Sequence, residues 1–330
     1  MSAGADKHAE GGNRRAAAST WTETPAPLEW LQPCILSGGT GRVHCLPIHY
    51  PVWMLPAWPL LQCVETIAAA GFDGVAFGAA PVDDPRRIDR LQGREAAELR
   101  SYLHDLGLGR SVHVMSDCYF AGMAERQEDV VAQAKEGIER AVRALAGEEL
   151  PPLIVSHDPI CLPPGPTGVP APELLVEMVQ FLVTLSARYN ITPALEDWPK
   201  PEFGTPEAMR ALLQDAGGEV GILLDTGHLH LALKSDWCTH TGHESFVQAL
   251  PAPVVEVHLH DNHGRTDEHL PPGKGTATLA GILATLVAGG FGGPVTLECD
   301  LASGKSGGLA EGLERARRLC ESAPGRRPSR

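Results

Sequence analysis

Apolar positions along the 330-residue chain follow two rhythms that take turns. Short runs with a period of two predict strands; longer runs with a period near 3.6, most of them closed by a glycine, predict helices. Strands are predicted over Arg42–Tyr50, Phe72–Phe77, Arg110–Met115, Pro152–His157, Thr192–Trp198 and Val220–Asp225, in the first half of Val254–Thr276, and over Pro294–Asp300. Helices are predicted over Leu61–Gly71, Arg86–Leu106, Glu125–Ala146, Glu173–Tyr189, Pro206–Ala216, Thr278–Ala288 and Leu309–Cys320. Eight strands, each followed by a helix or by a connection long enough for one, predict the α/β class and a (β/α)8 TIM barrel in a single domain, because alternating units give a parallel sheet wrapped in helices. The alternative, an open doubly wound sheet, is disfavoured by the even strand count and by the lack of a Gly-x-Gly-x-x-Gly turn after the first strand. On this reading residues 1–32 are a disordered tail and linker, 33–321 the barrel, and 322–330 a second disordered tail.

The stretch Val254–Thr276 adds chemistry to the pattern. Val255, Val257 and Leu259 alternate with Glu256, His258 and His260, giving a strand with one apolar and one polar face. It runs into a loop carrying Asp261, His263, Asp267 and His269, shaped by Pro271, Pro272, Gly273 and Gly275. In a parallel barrel the loops after the strands share one face, so polar residues at strand ends converge. Here those residues are His113, His157, Glu196, Asp225, His258 and Glu298, and Ser111, Ala194 and Thr296 share the inward parity of His113, Glu196 and Glu298. Buried carboxylates repel one another or take up protons, and a divalent cation removes both penalties. Glu196, Asp225, His258 and Glu298 form a mostly hard donor set that suits Mn2+, Mg2+ or Co2+, with Zn2+ or Fe2+ as more imidazole joins.

Composition narrows the partners. A formal net charge of −14 opposes nucleic acid and anionic membranes. No run of about 18 apolar residues predicts a transmembrane helix, and the N-terminus lacks the apolar run of a secretory signal. Eight cysteines without a C-x-x-C pair read as core and loop thiols of a cytoplasmic protein. The apolar helix faces serve barrel packing and are equally compatible with a homo-oligomer.

Asp225-Thr226-Gly227-His228, together with His258-Leu259-His260-Asp261 and Glu298, resembles the xylose isomerase-like barrel superfamily of sugar and sugar-phosphate isomerases, epimerases and keto-inositol dehydratases, which also holds apurinic endonucleases of the endonuclease IV type. The resemblance implies that Glu196, Asp225, His258 and Glu298 are metal ligands, that Glu196 and Glu298 also act as acid and base, and that His228 contacts substrate or a further metal. It thus implies abstraction of a proton next to a carbonyl of a small polyhydroxylated substrate, through a metal-stabilised enediolate, with dehydration of a keto-polyol as a near neighbour. In the endonuclease branch His113, His157, His228, Asp267 and His269 match the ligands of additional metals, which implies a two- or three-metal phosphoesterase as the alternative. Arg265 is a candidate for gripping a substrate hydroxyl or phosphate, Trp198 for walling a sugar face, and Trp53 and Trp58 for covering the mouth. The amides at Gly273 and Gly275 are candidates for an anion, and His260 and His263 for steadying a ligating imidazole.

Overall fold

Valine, isoleucine and leucine supply one face of nearly every short strand, and glycine, serine, threonine or a titratable residue supplies the other. In a computed structural model, which describes residues 46–78, 84–123, 125–147, 150–163, 167–303 and 307–322, these strands close on themselves. All described residues belong to one compact unit, 37–330. The predicted tail 1–32, the start of the predicted first strand and residues 323–330 lie outside the described residues, while Ser322 ends the last helix.

The barrel strands are β1 (Ile48–Pro51), β2 (Gly74–Gly78), β3 (Gly109–Val114), β4 (Leu153–His157), β5 (Ile191–Glu196), β6 (Gly221–Asp225), β7 (Val254–Leu259) and β8 (Val295–Leu297). Each pairs in parallel with the next, and β8 closes on β1 with Ile48 opposite Val295 and His49 opposite Thr296. The helices are α1 (Leu60–Ala69), α2 (Gly93–Asp105), α3 (Ser116–Phe120), α4 (Glu128–Leu145), α5 (Pro172–Ser186), α6 (Pro206–Ala216), α7 (Thr226–Lys234), α8 (His243–Ala249), α9 (Leu279–Ala288) and α10 (Gly308–Ser322). None of the described helices is long and apolar enough to cross a membrane.

Three short helices, α3, α7 and α8, and a small hairpin of Cys161–Leu162 with Val169–Pro170 go beyond the sequence reading. They are too short to show a helical repeat, and α7 is set by its cap: Asp225 accepts a hydrogen bond from the His228 amide. The helix predicted from Arg86 starts only at Gly93. Arg86 instead sits in a turn, paired with Asp84 and donating to loop carbonyls after β1.

Outward residues such as Val75, Phe77, Val112, Val155, Leu195, Leu224, Val257 and Leu297 are buried against Ile67, Leu99, Ile138, Leu182, Met209 and Ile282 of the helical ring. That layer fixes the cylinder, and truncating one of its Leu or Ile residues to Ala costs about 2–5 kcal/mol. Inside, a bulge between Ile222 and Leu223 turns Val255 onto Ala194 and Leu223, with Ile154 against them. Gly221 is required there, because an added Cβ would lie 2.6 Å from Val255 Cγ1. At the opposite end from the strand C-termini, the His49 ring fills the room left by Gly74 and Gly109, whose added Cβ atoms would come within 2.3 and 2.7 Å of its Nε2.

Burial pushes the His49 imidazole down from 6.5 to about 4. Between these values only the unfolded chain takes up the proton, so His49 supports full stability above pH 6.5 and loses that support as pH falls toward 4. The wild-type chain should therefore lose about 3 kcal/mol relative to His49→Gln between pH 7 and pH 4. Urea unfolding of both proteins across this range measures it, and a constant gap would contradict the assignment.

Candidate metal centre

The C-terminal ends of β5 to β8 deliver four titratable side chains to one point. Glu196 ends β5, Asp225 ends β6, His258 lies on β7, and Glu298 follows β8, where its amide donates to the Leu259 carbonyl at 3.1 Å. One donor atom from each of the four lies within 4.8 Å of the others, and all four residues are buried. Donors bound at about 2.1 Å from one ion are at most roughly 4.2 Å apart, so the set is within a few tenths of an ångström of a coordination sphere. His258 Nδ1 stands 2.9 Å from Glu298 Oε2 and 3.4 Å from Glu196 Oε1. It is nevertheless buried without a hydrogen bond, as is Glu196 Oε2. Close approach without hydrogen-bond geometry suits donors that share an ion, and three carboxylates with one imidazole suit a divalent cation.

Burial and charge partners compete across the site. Burial, opposed by His258 and His228, pushes the Glu196 carboxyl up to about 7. Burial acts the same way on Glu298, but His258, His269 and His113 together outweigh it and hold that carboxyl well below the usual range. Asp225 is lowered as well, because His228 and His260 outweigh its burial. Burial would depress His258, yet Glu298 and Glu196 raise it well above its ordinary value. In the metal-free chain the imidazoles thus carry the compensating positive charge. His113, lowered to about 3 by burial and then by His258, stays neutral beside them. Its Nε2 lies 3.6 Å from Glu196 Oε2 and its Nδ1 2.9 Å from Ser156 Oγ.

A second group adjoins the first. Asp225, His228 and His260 bring donor atoms within 4.8 Å of one another, as do His260, His269 and Glu298. Asp267 Oδ2 lies 3.2 Å from His228 Nε2 and 3.0 Å from His269 Nε2, while its Oδ1 is 3.6 Å from His260 Nε2. His260 and His269 stack with centroids 4.1 Å apart. His269 takes a left-handed backbone, φ +46°, and its Nδ1 donates to the Glu298 carbonyl at 3.0 Å. Such a conformation costs a β-carbon residue on the order of 1 kcal/mol, so the contacts of this ring must hold it.

Other candidates fall elsewhere. His157 shares the parity of the outward Val155; its Nδ1 donates to the Asp158 carbonyl at 2.6 Å, and it belongs to none of the three groups. Trp198 meets the His228 ring edge-on at 4.8 Å, with its indole nitrogen buried and unpartnered. Arg265 is exposed. His263 pairs with Glu268 at the surface and belongs to none of the three groups. The Gly273 amide, read as an anion donor, is taken by Asp261 Oδ2 at 3.0 Å, and Asp261 Oδ1 accepts from Ala277 N at 3.0 Å. The aspartate ties that loop from within, which leaves the Gly273 amide spoken for.

Three contributors were not singled out as such from the sequence. His260, read as a steadying residue, offers its Nε2 to Asp225 at 2.8 Å; its signal was the two-residue step from His258. Asp197 Oδ1 accepts from the Asp225 amide at 2.7 Å, and the Asp197 carbonyl accepts from His228 Nδ1 at 2.8 Å. Trp53, read only as a cover for the mouth, donates from Nε1 to Glu298 Oε1 at 2.9 Å.

The sequence pattern of xylose isomerase-like TIM barrels matches residues 64–319. The chain belongs to this family. Among solved structures, this xylose isomerase-like barrel is similar to a D-tagatose 3-epimerase-like protein, with a TM-score of 0.61 and 20% identity over 84% of this chain and 97% of the other. A D-psicose 3-epimerase solved in the presence of D-fructose gives 0.59 and 16% over 84% and 96%. A xylose isomerase-like TIM barrel protein from Mycobacterium smegmatis, solved with magnesium, gives 0.61 and 19% over 86% and 98%. At these identities the likeness is one of fold. An uncharacterized protein of Methanocaldococcus jannaschii is 30% identical over 124 residues, 36% of this chain and 40% of that protein. One of Mycobacterium tuberculosis is 36% identical over 102 residues, 28% of this chain and 36% of that protein. The alignments therefore span less than half of these curated relatives.

In this xylose isomerase-like barrel a cation held by the four residues would have to displace the proton that Glu298 and Glu196 favour on His258. Because that imidazole is raised, affinity should rise with pH, by up to about tenfold per unit below its titration point, with release of roughly one proton on binding. Titration calorimetry with Mn2+ in two buffers of different ionisation enthalpy checks this; pH-independent affinity without proton release would contradict it.

Proposed function

We propose that this protein is a metal-dependent isomerase or epimerase of a small polyhydroxylated carbonyl substrate, acting by proton transfer at the carbon next to the carbonyl. The observation that carries the reading is the convergence of Glu196 and Glu298, from strands three apart around the barrel, on one buried donor set with Asp225 and His258. A divalent cation held there, Mn2+, Mg2+ or Co2+ by the three-carboxylate donor set, would polarise the carbonyl and so acidify the C–H of the neighbouring hydroxyl-bearing carbon. Glu196 and Glu298 then hold and return the proton, one on each side of the substrate. A base on one side returning the proton to a neighbouring carbon isomerises; acids on both sides permit epimerisation. His228, fixed through Nδ1 by the Asp197 carbonyl, presents Nε2 toward Asp267 and bounds the site with Trp198. Arg265, exposed on the same loop as Asp267 and His269, is assigned to a substrate oxygen. The solved neighbours, a D-tagatose 3-epimerase-like protein, a D-psicose 3-epimerase and an L-ribulose 3-epimerase, support a sugar as the substrate class. Loss of a β-hydroxyl after the same first step would make the enzyme a keto-polyol dehydratase.

One observation favours a second reading. The two further groups share Asp225 and Glu298 with the first, and Asp267 adjoins both. Two or three metals bridged by these carboxylates would suit hydrolysis of a phosphate ester. Elemental analysis separates the readings: one metal per chain is expected of the isomerase, two or three of the phosphoesterase.

Glu298→Gln should lower turnover by about 10²–10⁴-fold, the usual worth of a positioned acid or base. Near-wild-type turnover would remove Glu298 from proton transfer. In deuterated water the enzyme should wash deuterium into the position next to the carbonyl of its substrate, assayed by NMR over ketoses, ketose phosphates and inososes; no incorporation across that panel would overturn the reaction class.

A further inference from the structure

Glu298 differs from the other carboxylates of the cluster in what holds it. Its Oε1 accepts the indole N–H of Trp53, a residue 245 positions earlier in the chain, while Oε2 lies 2.9 Å from His258 Nδ1. Trp53 occupies a single 3-10 turn, Val52–Met54, directly after β1. Its ring stands 5.7 Å from that of His113 and 6.2 Å from that of His258. Gly78 leaves room for it, since a Cβ there would approach Trp53 Cε3 to 3.0 Å.

The turn is itself pinned. Arg86 Nη1 donates to the carbonyls of Trp53 at 3.1 Å and Leu55 at 2.7 Å, and also reaches that of Val52 at 3.4 Å. The rest of the guanidinium is engaged by Asp84, with Nε 2.8 Å from Oδ1 and Nη2 against Oδ2. A planar fork fixed by a carboxylate on one side has its remaining donors aimed in one direction, which a lysine would not reproduce. The path therefore runs from Asp84 and Arg86, through the backbone after β1, to the indole N–H and then to Glu298.

We propose that Trp53 is a positioning residue that makes Glu298 a one-oxygen ligand, and that Arg86 holds Trp53 in place to do so. A neutral N–H on Oε1 occupies one oxygen without adding charge, so the carboxylate keeps its attraction for a cation but offers it Oε2 alone. By contrast Glu196 Oε2 is buried without a hydrogen bond, its neighbour His113 Nε2 standing off at 3.6 Å, so no N–H occupies it as the indole occupies Glu298 Oε1. Trp53 thus builds a difference between the two glutamates into the fold. The proposal rests on the cation-site reading but not on any particular reaction.

The test uses Co2+ as the probe on the full-length chain. Wild type, Trp53→Phe and Arg86→Lys are loaded, their visible d–d spectra recorded, and affinity measured by competition with a chelator. Trp53→Phe keeps an aromatic ring and loses the N–H, so its spectrum should shift toward higher coordination and its affinity fall by about 10- to 100-fold, as for other groups that orient a metal ligand. Arg86→Lys should shift the spectrum in the same direction by less. A second measurement needs no variant: in wild type with 15N-labelled tryptophan, the Trp53 indole proton should exchange slowly with solvent and its resonance should move on addition of Mg2+. Wild-type spectrum and affinity in Trp53→Phe, or a fast-exchanging Trp53 indole indifferent to Mg2+, overturns the proposal and leaves the cation site standing. Failure of the wild-type chain to bind Co2+ overturns both.

Discussion

Like charges cannot be crowded into a dry protein interior without a counter-ion, and the mouth of this barrel crowds three. Glu196, Asp225 and Glu298 present donor oxygens within 4.8 Å of one another. At such distances each pair of ionised carboxylates repels by about 4 kcal/mol even at an effective dielectric of 20. In the metal-free chain His258, His228 and their neighbours supply protons against that repulsion. A divalent ion would do so more compactly, and the same residues would then serve as its ligands.

What allows the crowding is the division of labour between the two faces of each strand. The outward face, Val112, Leu195, Leu224, Val257 and Leu297 among others, packs on the helices and supplies the stability that the inward face gives up. The strand register then sets where each donor stands, because Asp225 opposite His258 and Thr296 opposite His258 are fixed by backbone hydrogen bonds. Side chains around the donors also serve structure. Asp225 caps α7 while facing His260, Asp197 holds both the Asp225 amide and the His228 ring, and Asp261 ties the loop that carries Asp267 and His269. The site and the barrel end are one construction.

Much of this was readable in the chain because period-two alternation is a local property. Ser111 with His113, Ala194 with Glu196 and Thr296 with Glu298 announce the inward face from within one strand, and the convergence of strand ends follows from barrel topology. The same local rule, applied strictly, separates His157 from the set, since it shares the parity of Val155 rather than of Ser156. What local pattern could not carry are contacts between distant segments. Nothing near Trp53 points to Glu298, nor anything near Arg86 to the turn after β1, and α7 is hidden because its cap is also a ligand-type residue. The Gly273 amide is closed to an anion because Asp261, twelve residues earlier, accepts from it and from the Ala277 amide, a contact that the glycine and proline pattern of the loop does not announce.

The most direct test of the central claim is anomalous diffraction at the manganese edge from crystals of the chain grown with Mn2+. The account predicts a strong peak about 2.1–2.3 Å from at least one oxygen each of Glu196 and Asp225, from one oxygen of Glu298 and from a ring nitrogen of His258. Well-ordered side chains around a mouth with no peak, or manganese bound only at surface carboxylates, would contradict it.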